Sequence, residues 1–284
     1  MAFCSERQVD YLAPSLNDAL NFLFTLYNKG LSYSTLNTAR SAISTIVKIE
    51  GGDFGTNAVV TRFMKGVFET RLPTPKYNSI WDVSTVLKHL TKYYPNGTLS
   101  LKDLTFKVLM LLLLVSGQRG QSVHLLDLQH MKMEEDLCSF DVVQHIKTSR
   151  PGAPHTRIEI ARYPPDPTIC PYSCLREYIQ RTQKLRGTET RLFISYVKPY
   201  QPVSRDTISR WTKATLKTCG IDTTMFSAHS TRAASASKAC AKAVPIHEIM
   251  ANAGWRSAQT FYRHYFKPVI EEASVASVLL SSNA

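Results

Sequence analysis

An unbroken apolar run of eight residues, 108–115, leads directly into Ser116-Gly117-Gln118-Arg119. No other stretch constrains the fold as much. A helix with no polar face must be buried all round, and eight residues are too few to cross a bilayer. Ser100, with Asp103 three residues later, marks where that helix begins. The chain must therefore fold around a central buried helix, with a guanidinium at the rim of its core. An arginine there needs an anionic partner or a path to solvent. The domestic alternative is an internal pair with a carboxylate such as Asp127.

The 284 residues, 44% of them hydrophobic, suffice for one large core or two modest ones. Lys and Arg number 34 against 22 Asp and Glu, a net charge of +12 on a chain that is only 20% charged. Extended disorder is not expected. The excess favours a polyanion or an anionic membrane face as partner. No membrane span is visible, and the first residues lack the charged tip and long apolar stretch of a secretory leader. The cysteines, at 4, 138, 170, 174, 219 and 240, include one close pair, Cys170 and Cys174, with no second pair at metal-binding spacing. They are expected to be free thiols in a reducing compartment, with no metal and no cofactor.

The patterning predicts a mainly α protein in two parts. Residues 1–70 show short helices: Ser15 precedes a stripe of Leu16, Leu20, Leu23 and Tyr27; Leu36, Ala39, Ile43 and Ile46 form another; Val60, Phe63, Met64 and Val67 a third. Residues 71–79 form the linker, with two prolines and no periodicity. In 80–284, Asp82 caps one helix and Ser100 the central one. Residues 137–146 and the alternating 156–162 form a β-hairpin with a long proline-bearing turn. Helices are expected at 171–185, 205–218, 230–243 and 246–253, then a C-terminal pair after Thr260, with Pro171, Pro245 and Pro268 at helix starts.

Beyond Arg119, two stretches carry chemistry. In Ser227-Ala228-His229-Ser230-Thr231-Arg232, the imidazole and guanidinium lie three apart on one helical face, followed by small residues that permit close packing. Such a pair suits a phosphodiester, since arginine donates two parallel hydrogen bonds to phosphate oxygens. In the second, Tyr262 and Tyr265 stand among Arg263, His264 and Lys267 after Gly254-Trp255. A tyrosine hydroxyl among cations is better placed to lose its proton.

Taken in order, these motifs resemble the catalytic domain of the tyrosine recombinases, the phage-integrase family. Arg119 matches the first arginine, in a Ser-Gly-x-Arg form of the usual Thr-Gly-x-Arg. Lys147 matches the hairpin lysine, His229 and Arg232 the His-x-x-Arg box, Trp255 the His/Trp position, and Tyr265 the nucleophile. Leu31-Ser-Tyr-Ser-Thr-Leu, Trp81-Asp-Val, Gly117-Gln-Arg-Gly-Gln, Lys147-Thr-Ser-Arg-Pro-Gly and Tyr265-x-x-Pro268 resemble the recombinases of DIRS-type retrotransposons more closely. Two departures stand out. Ser122 occupies a position that is Glu or Asp in many members, and Tyr265 lies one residue farther from Trp255 than is usual, leaving Tyr262 as a rival.

The resemblance implies a helical core-binding (SAM-like) domain over 1–70 and a mixed α/β catalytic domain with a small antiparallel sheet. It implies metal-independent cleavage and rejoining of double-stranded DNA through a 3′-phosphotyrosyl intermediate, in DNA recombination or integration. A homotetramer on two DNA sites is expected, monomeric or weakly dimeric when free, with the tail 269–280 docked on a neighbour or on its own domain, and a nuclear location. Lys29, Arg40, Lys48, Arg150, Arg205, Arg210 and Lys213 are candidate DNA contacts, each also explicable as solvated surface. The alternatives are a transposon-derived DNA-binding protein of the same fold that has lost catalysis, a type IB topoisomerase-like enzyme, and an unrelated basic helical scaffold.

Overall fold

The computed structural model describes residues 2–49, 52–73, 77–147, 149–152, 155–255 and 257–269; the side chains of Lys48, Arg263 and His264 are outside this description. The expected second C-terminal helix and the tail 270–280 also fall outside it. The chain forms two compact units, Met1–Lys76 and Tyr77–Ala284.

In the first unit, α1 (Ala2–Arg7) precedes α2 (Leu16–Asn28), α3 (Tyr33–Ile46) and α4 (Ala58–Thr70). Ser15, Ser32 and Asn57 each accept a backbone N–H at the start of α2, α3 and α4, satisfying donors the helix itself leaves open. Ser15 and Asp18 complete a capping box. Leu23, Leu36, Phe54, Val60 and Met64 make the core. The antiparallel strands β1 (Lys48–Ile49) and β2 (Gly52–Asp53) sit between α3 and α4. Strands of two residues and a six-residue α1 are too short to leave a periodic signal in sequence.

The second unit is built on α6 (Leu101–Ser116). Ser100 caps it by accepting from the Asp103 N–H. Residues 108–114 are all buried, while Val115 is 40% exposed, so the fully apolar run ends one residue before the sequence suggested. Around α6 pack α8 (Pro171–Thr182), α9 (Arg205–Thr218), α10 (Ser230–Ala241) and the sheet. The remaining helices are α5 (Val83–Leu90), α7 (Gly120–His124), α11 (Ile246–Ala253) and α12 (Ala258–His264). Lys107, buried within α6, gives its Nζ protons to Tyr93 O (2.5 Å) and Asn96 Oδ1 (2.8 Å), and burial lowers its pKa. Among the described residues no helix is long and apolar enough to cross a membrane.

The expected hairpin is a three-stranded antiparallel sheet, ordered β3 (Met131–Met133), β4 (Leu137–Val142), β5 (Thr156–Ala161). Ile158 and Ile160 of β5 face the core, as its alternation predicts. β4 stops at Val142 instead of residue 146, because Val142 already pairs with Thr156, the first residue of β5. The described residues from 143 to 152 and residue 155 are thus connection, and Lys147 lies among them, exposed, beyond the strand end. The sequence missed β3 because three residues flanked by polar loops carry no usable alternation.

The burial of α6 predicts a sharp contrast. Leu111→Ala should cost about 2–5 kcal/mol through lost burial and a cavity, and Val115→Ala less than about 1 kcal/mol. Urea denaturation followed by tryptophan fluorescence measures this for the second unit alone, since Trp81, Trp211 and Trp255 all lie there.

Candidate active site

Two helix ends converge on Arg232. α6 closes on Gly117, whose φ of +57° is left-handed and open to glycine at little cost. A Cβ at Gly117 would stand 3.2 Å from that of Ala253, so the close approach of α6 and α11 also favours glycine. α11 closes on Gly254, also left-handed, with Trp255 N–H bonded back to Met250 O at 2.8 Å. Each end leaves backbone carbonyls without helical partners. Side chains from elsewhere take them up. Ser235 donates to Leu114 O, Asn252 to Val115 O, Gln118 to Asn252 O.

Arg232 completes the set. It is 0% exposed, and its Nη1 donates to Gly117 O (2.6 Å) and Ala253 O (2.7 Å). Both carbonyls belong to helix C-termini, where the peptide dipoles concentrate negative charge. Nη1 is thereby saturated. Nε and Nη2, the opposite edge of the guanidinium, are buried and meet no acceptor in good hydrogen-bonding geometry among the described residues, although the Tyr265 hydroxyl is close enough to act on the guanidinium as a hydrogen-bond partner. The indole Nε1 of Trp255, whose ring lies 4.0 Å under the guanidinium carbon, is likewise buried without an acceptor. Unmet buried donors cost about 1–3 kcal/mol each. Here all three are donors, and the partner such a set lacks is an acceptor, ideally a bidentate anion.

Tyr265 borders the same space. It ends α12, its ring centroid lies 5.2 Å from the Arg232 guanidinium carbon and 4.7 Å from Trp255, and its hydroxyl is 3.5 Å from His229 Nε2. Ser237, on α10 beyond Arg232, donates to Tyr265 O (3.1 Å) and accepts from Lys267 N–H (3.0 Å). His229 precedes α10 with its side chain unused as a cap. Tyr262 is 52% exposed and packs on Phe261 and Phe266 instead.

Arg119 is half-buried at the start of α7, and its positive charge is felt at Arg232. Burial, then the Arg119 charge, lower the Arg232 pKa to about 10, with Tyr265 pulling the other way. Arg232 remains cationic at neutral pH. Asp127 does not serve as an internal partner for Arg119. Its carboxylate caps Gln129 N–H and accepts from Thr190, and among the described residues Arg119 forms no ion pair. Ser122 is buried. Among the described residues no group of three His, Cys, Asp or Glu could hold a metal ion.

His229, Arg232, Trp255 and Tyr265 are therefore in mutual contact, and Arg119 lies near enough for its charge to act on Arg232. Lys147 does not join them: no hydrogen bond or ring contact links it to these five among the described residues. Gln118, Ser235, Ser237 and Asn252 support the site without having been singled out from sequence, because small polar residues near helix ends are common and only their distant acceptors give them meaning. Of the candidate surface cations, Lys29, Arg150, Arg205, Arg210 and Lys213 are exposed. Arg205 pairs with Asp206 (3.8 Å) and Arg210 bonds Thr207 (2.9 Å). Arg40 is half-buried, with Nε unpartnered.

A helical unit with a small antiparallel sheet and a buried, half-open arginine beside a tyrosine defines an architecture of the tyrosine-recombinase type. The model of the phage integrase family matches residues 83–271, about two thirds of the chain, and the protein belongs to that family. No curated protein sequence matches it. Among solved structures, the XerH site-specific recombinase in a post-cleavage complex with its difH substrate is similar with a TM-score of 0.57 at 13% identity, over 84% of this chain and 65% of that one. The chain thus spans just under two thirds of that relative. The Tn1549 transposon integrase with circular-intermediate DNA gives 0.57 at 13% identity, over 95% and 85%. A lambda integrase dimer bound to a COC′ core site gives 0.55 at 15%, over 92% and 83%. At these identities the likeness is one of fold.

If the open edge of Arg232 is an oxyanion site, millimolar sulfate should raise the thermal unfolding midpoint in a saturable way. Arg232→Lys, which keeps the charge but lacks the two-donor edge, should lose about half or more of that rise. Differential scanning calorimetry with matched chloride controls measures it.

Proposed function

We propose that this protein is a tyrosine-type DNA recombinase that cuts and rejoins duplex DNA at specific sites without a metal ion, and that it belongs to the DIRS-type branch of the family. The reading is carried by the free edge of Arg232 lying beside Tyr265. In it, the Tyr265 oxygen attacks a backbone phosphorus, a 3′-phosphotyrosyl bond forms, and the bond to the 5′-oxygen breaks. Arg232 and Arg119 hold the non-bridging oxygens and stabilise the charge that builds in the transition state, at about 3 kcal/mol for a well-placed donor. Trp255 donates its indole N–H to the same phosphate. His229 sits where it can accept the tyrosine proton or donate to phosphate, according to tautomer. Lys147 protonates the departing 5′-oxygen. Its exposed connection then has to close on the pocket when DNA is bound. A 5′-hydroxyl from another strand reverses the step, so bond energy is conserved and no nucleotide cofactor is needed.

The net charge of +12 supports the same reading, through phosphate contacts that position the protein on duplex DNA. The unit Met1–Lys76 serves as the core-binding (SAM-like) domain and the second unit as the catalytic domain. Lys29, Arg40, Lys48, Arg150, Arg205, Arg210 and Lys213 supply backbone contacts. The assembly is a tetramer on two sites, acting in the nucleus. A lambda integrase tetramer bound to a Holliday junction is among the similar folds, with a TM-score of 0.52.

Incubation with a labelled pool of nicked duplexes, followed by denaturing electrophoresis, tests the activity. A covalent protein–DNA adduct should form in EDTA. Tyr265→Phe should abolish it and Tyr262→Phe should retain it; the reverse pattern would move the nucleophile. Absence of any wild-type adduct with duplex binding intact would leave a DNA-binding protein without catalysis. The role of Lys147 has its own test. Lys147→Ala should slow adduct formation about 10²-fold or more. A 5′-bridging sulfur at the scissile phosphate, a leaving group that needs no proton, should restore the rate.

A further inference from the structure

Residues 77–82 open the second unit, and most of them bond to one of two places. The Tyr77 hydroxyl accepts the Ser227 N–H (3.1 Å) and shares a hydrogen bond with Ser227 Oγ (2.8 Å), while its ring packs on Phe226 at 5.4 Å. The buried indole of Trp81 donates to Ser230 Oγ (2.9 Å). Asp82 accepts from Lys238 of α10 (3.0 Å). These anchors grip α10 and the turn before it. Ile80 turns to the other place: its N–H donates to Pro268 O (2.8 Å), and it forms a parallel bridge with Val269.

The two places are the two sides of the candidate site. Ser227 and Ser230 flank His229, and Pro268 lies three residues after Tyr265. His229 stands between these serines with a helical backbone, so what holds Ser227 and Ser230 bears on where the imidazole lies. Tyr265 ends a seven-residue helix, and the chain beyond it must be tethered to hold its hydroxyl. The 3.5 Å separation between His229 Nε2 and the Tyr265 hydroxyl is thus the gap between two arms of one short segment. Filling a core requires only apolar side chains. A phenol and an indole, each with its polar atom bonded beside His229, do more than fill space.

We propose that segment 77–82 is a strap that sets the His229–Tyr265 geometry, with Tyr77 and Trp81 as positioning residues for the reaction; this rests on the catalytic reading above. The strap touches no reacting atom. It holds α10 with one arm and the chain after the nucleophile with the other, so loosening either arm misplaces the tyrosine relative to its partners. Small misplacements of reacting groups are costly to rate while leaving binding intact.

Tyr77→Phe keeps the ring and removes the bonding hydroxyl; Trp81→Phe removes the indole N–H and leaves a smaller aromatic ring. Hydrogen exchange on the full-length protein should show faster exchange at both 227–231 and 266–269 in each variant, with β3–β5 unchanged. On the nicked duplex, single-turnover adduct formation should fall about ten- to a hundredfold with the duplex dissociation constant unchanged. Faster exchange confined to 227–231, or an adduct rate equal to wild type, overturns the strap. If Trp81→Phe fails to fold, Tyr77→Phe alone decides. A wild-type chain that forms no adduct overturns the proposed activity, while the exchange experiment still decides whether the two segments are coupled.

Discussion

A charged guanidinium with no exposed surface is the constraint around which the second unit is arranged. Arg232 is stabilised by two carbonyls, Gly117 O and Ala253 O, supplied by helices whose C-termini point at it. Each contributes an acceptor and the negative end of a helix dipole. That is enough to keep the arginine buried and cationic, and not enough to satisfy it. The unmet edge, with the indole N–H of Trp255 beside it, leaves a set of buried donors that an anion would satisfy. Structural and chemical roles are thus divided between two sides of one planar group.

The division demands close packing. Gly117 admits Ala253 at a distance that would crowd a Cβ (3.2 Å), and the buried Ala233, Ala234 and Ala236 keep α10 close to its neighbours. Gly254 reverses the chain after α11 so that the Trp255 ring lies under the guanidinium. Phe261, buried against Trp255 at 5.2 Å, then seats α12 and brings Tyr265 to the same rim. The pocket is assembled from helix ends, where unpaired backbone groups are available to bind side chains.

Much of the local structure was legible. Ser15, Asp82 and Ser100 announce their helices because a capping side chain acts within three residues of itself. The apolar block at 108–114 announces its own burial. The start of β4 at Leu137 was legible, but its end at Val142 was not, since that depends on which residue of β5 pairs with which. β3 and α1 are too short to show periodicity. Lys147 sits in a motif that suggested the pocket, yet lies in an exposed connection, because the pairing of Val142 with Thr156 ends the strand before reaching it. The supporting residues Gln118, Ser235, Ser237 and Asn252 left no signal at all, their acceptors lying up to 137 residues away in the chain.

The sequence by itself determined the helices, the central buried one among them, and the kinds of side chain available: arginine after that helix, histidine and arginine three apart, tryptophan after glycine, and tyrosine among cations. These come from capping, periodicity and composition, all of which act over a few residues. Only the tertiary structure decided that Gly117 and Arg232, 115 residues apart, would share a hydrogen bond, that one edge of that arginine would remain open, and that Tyr265 rather than Tyr262 would face it. Orphaned carbonyls at helix ends accept from whichever donor packing brings near, and packing is a property of the whole unit.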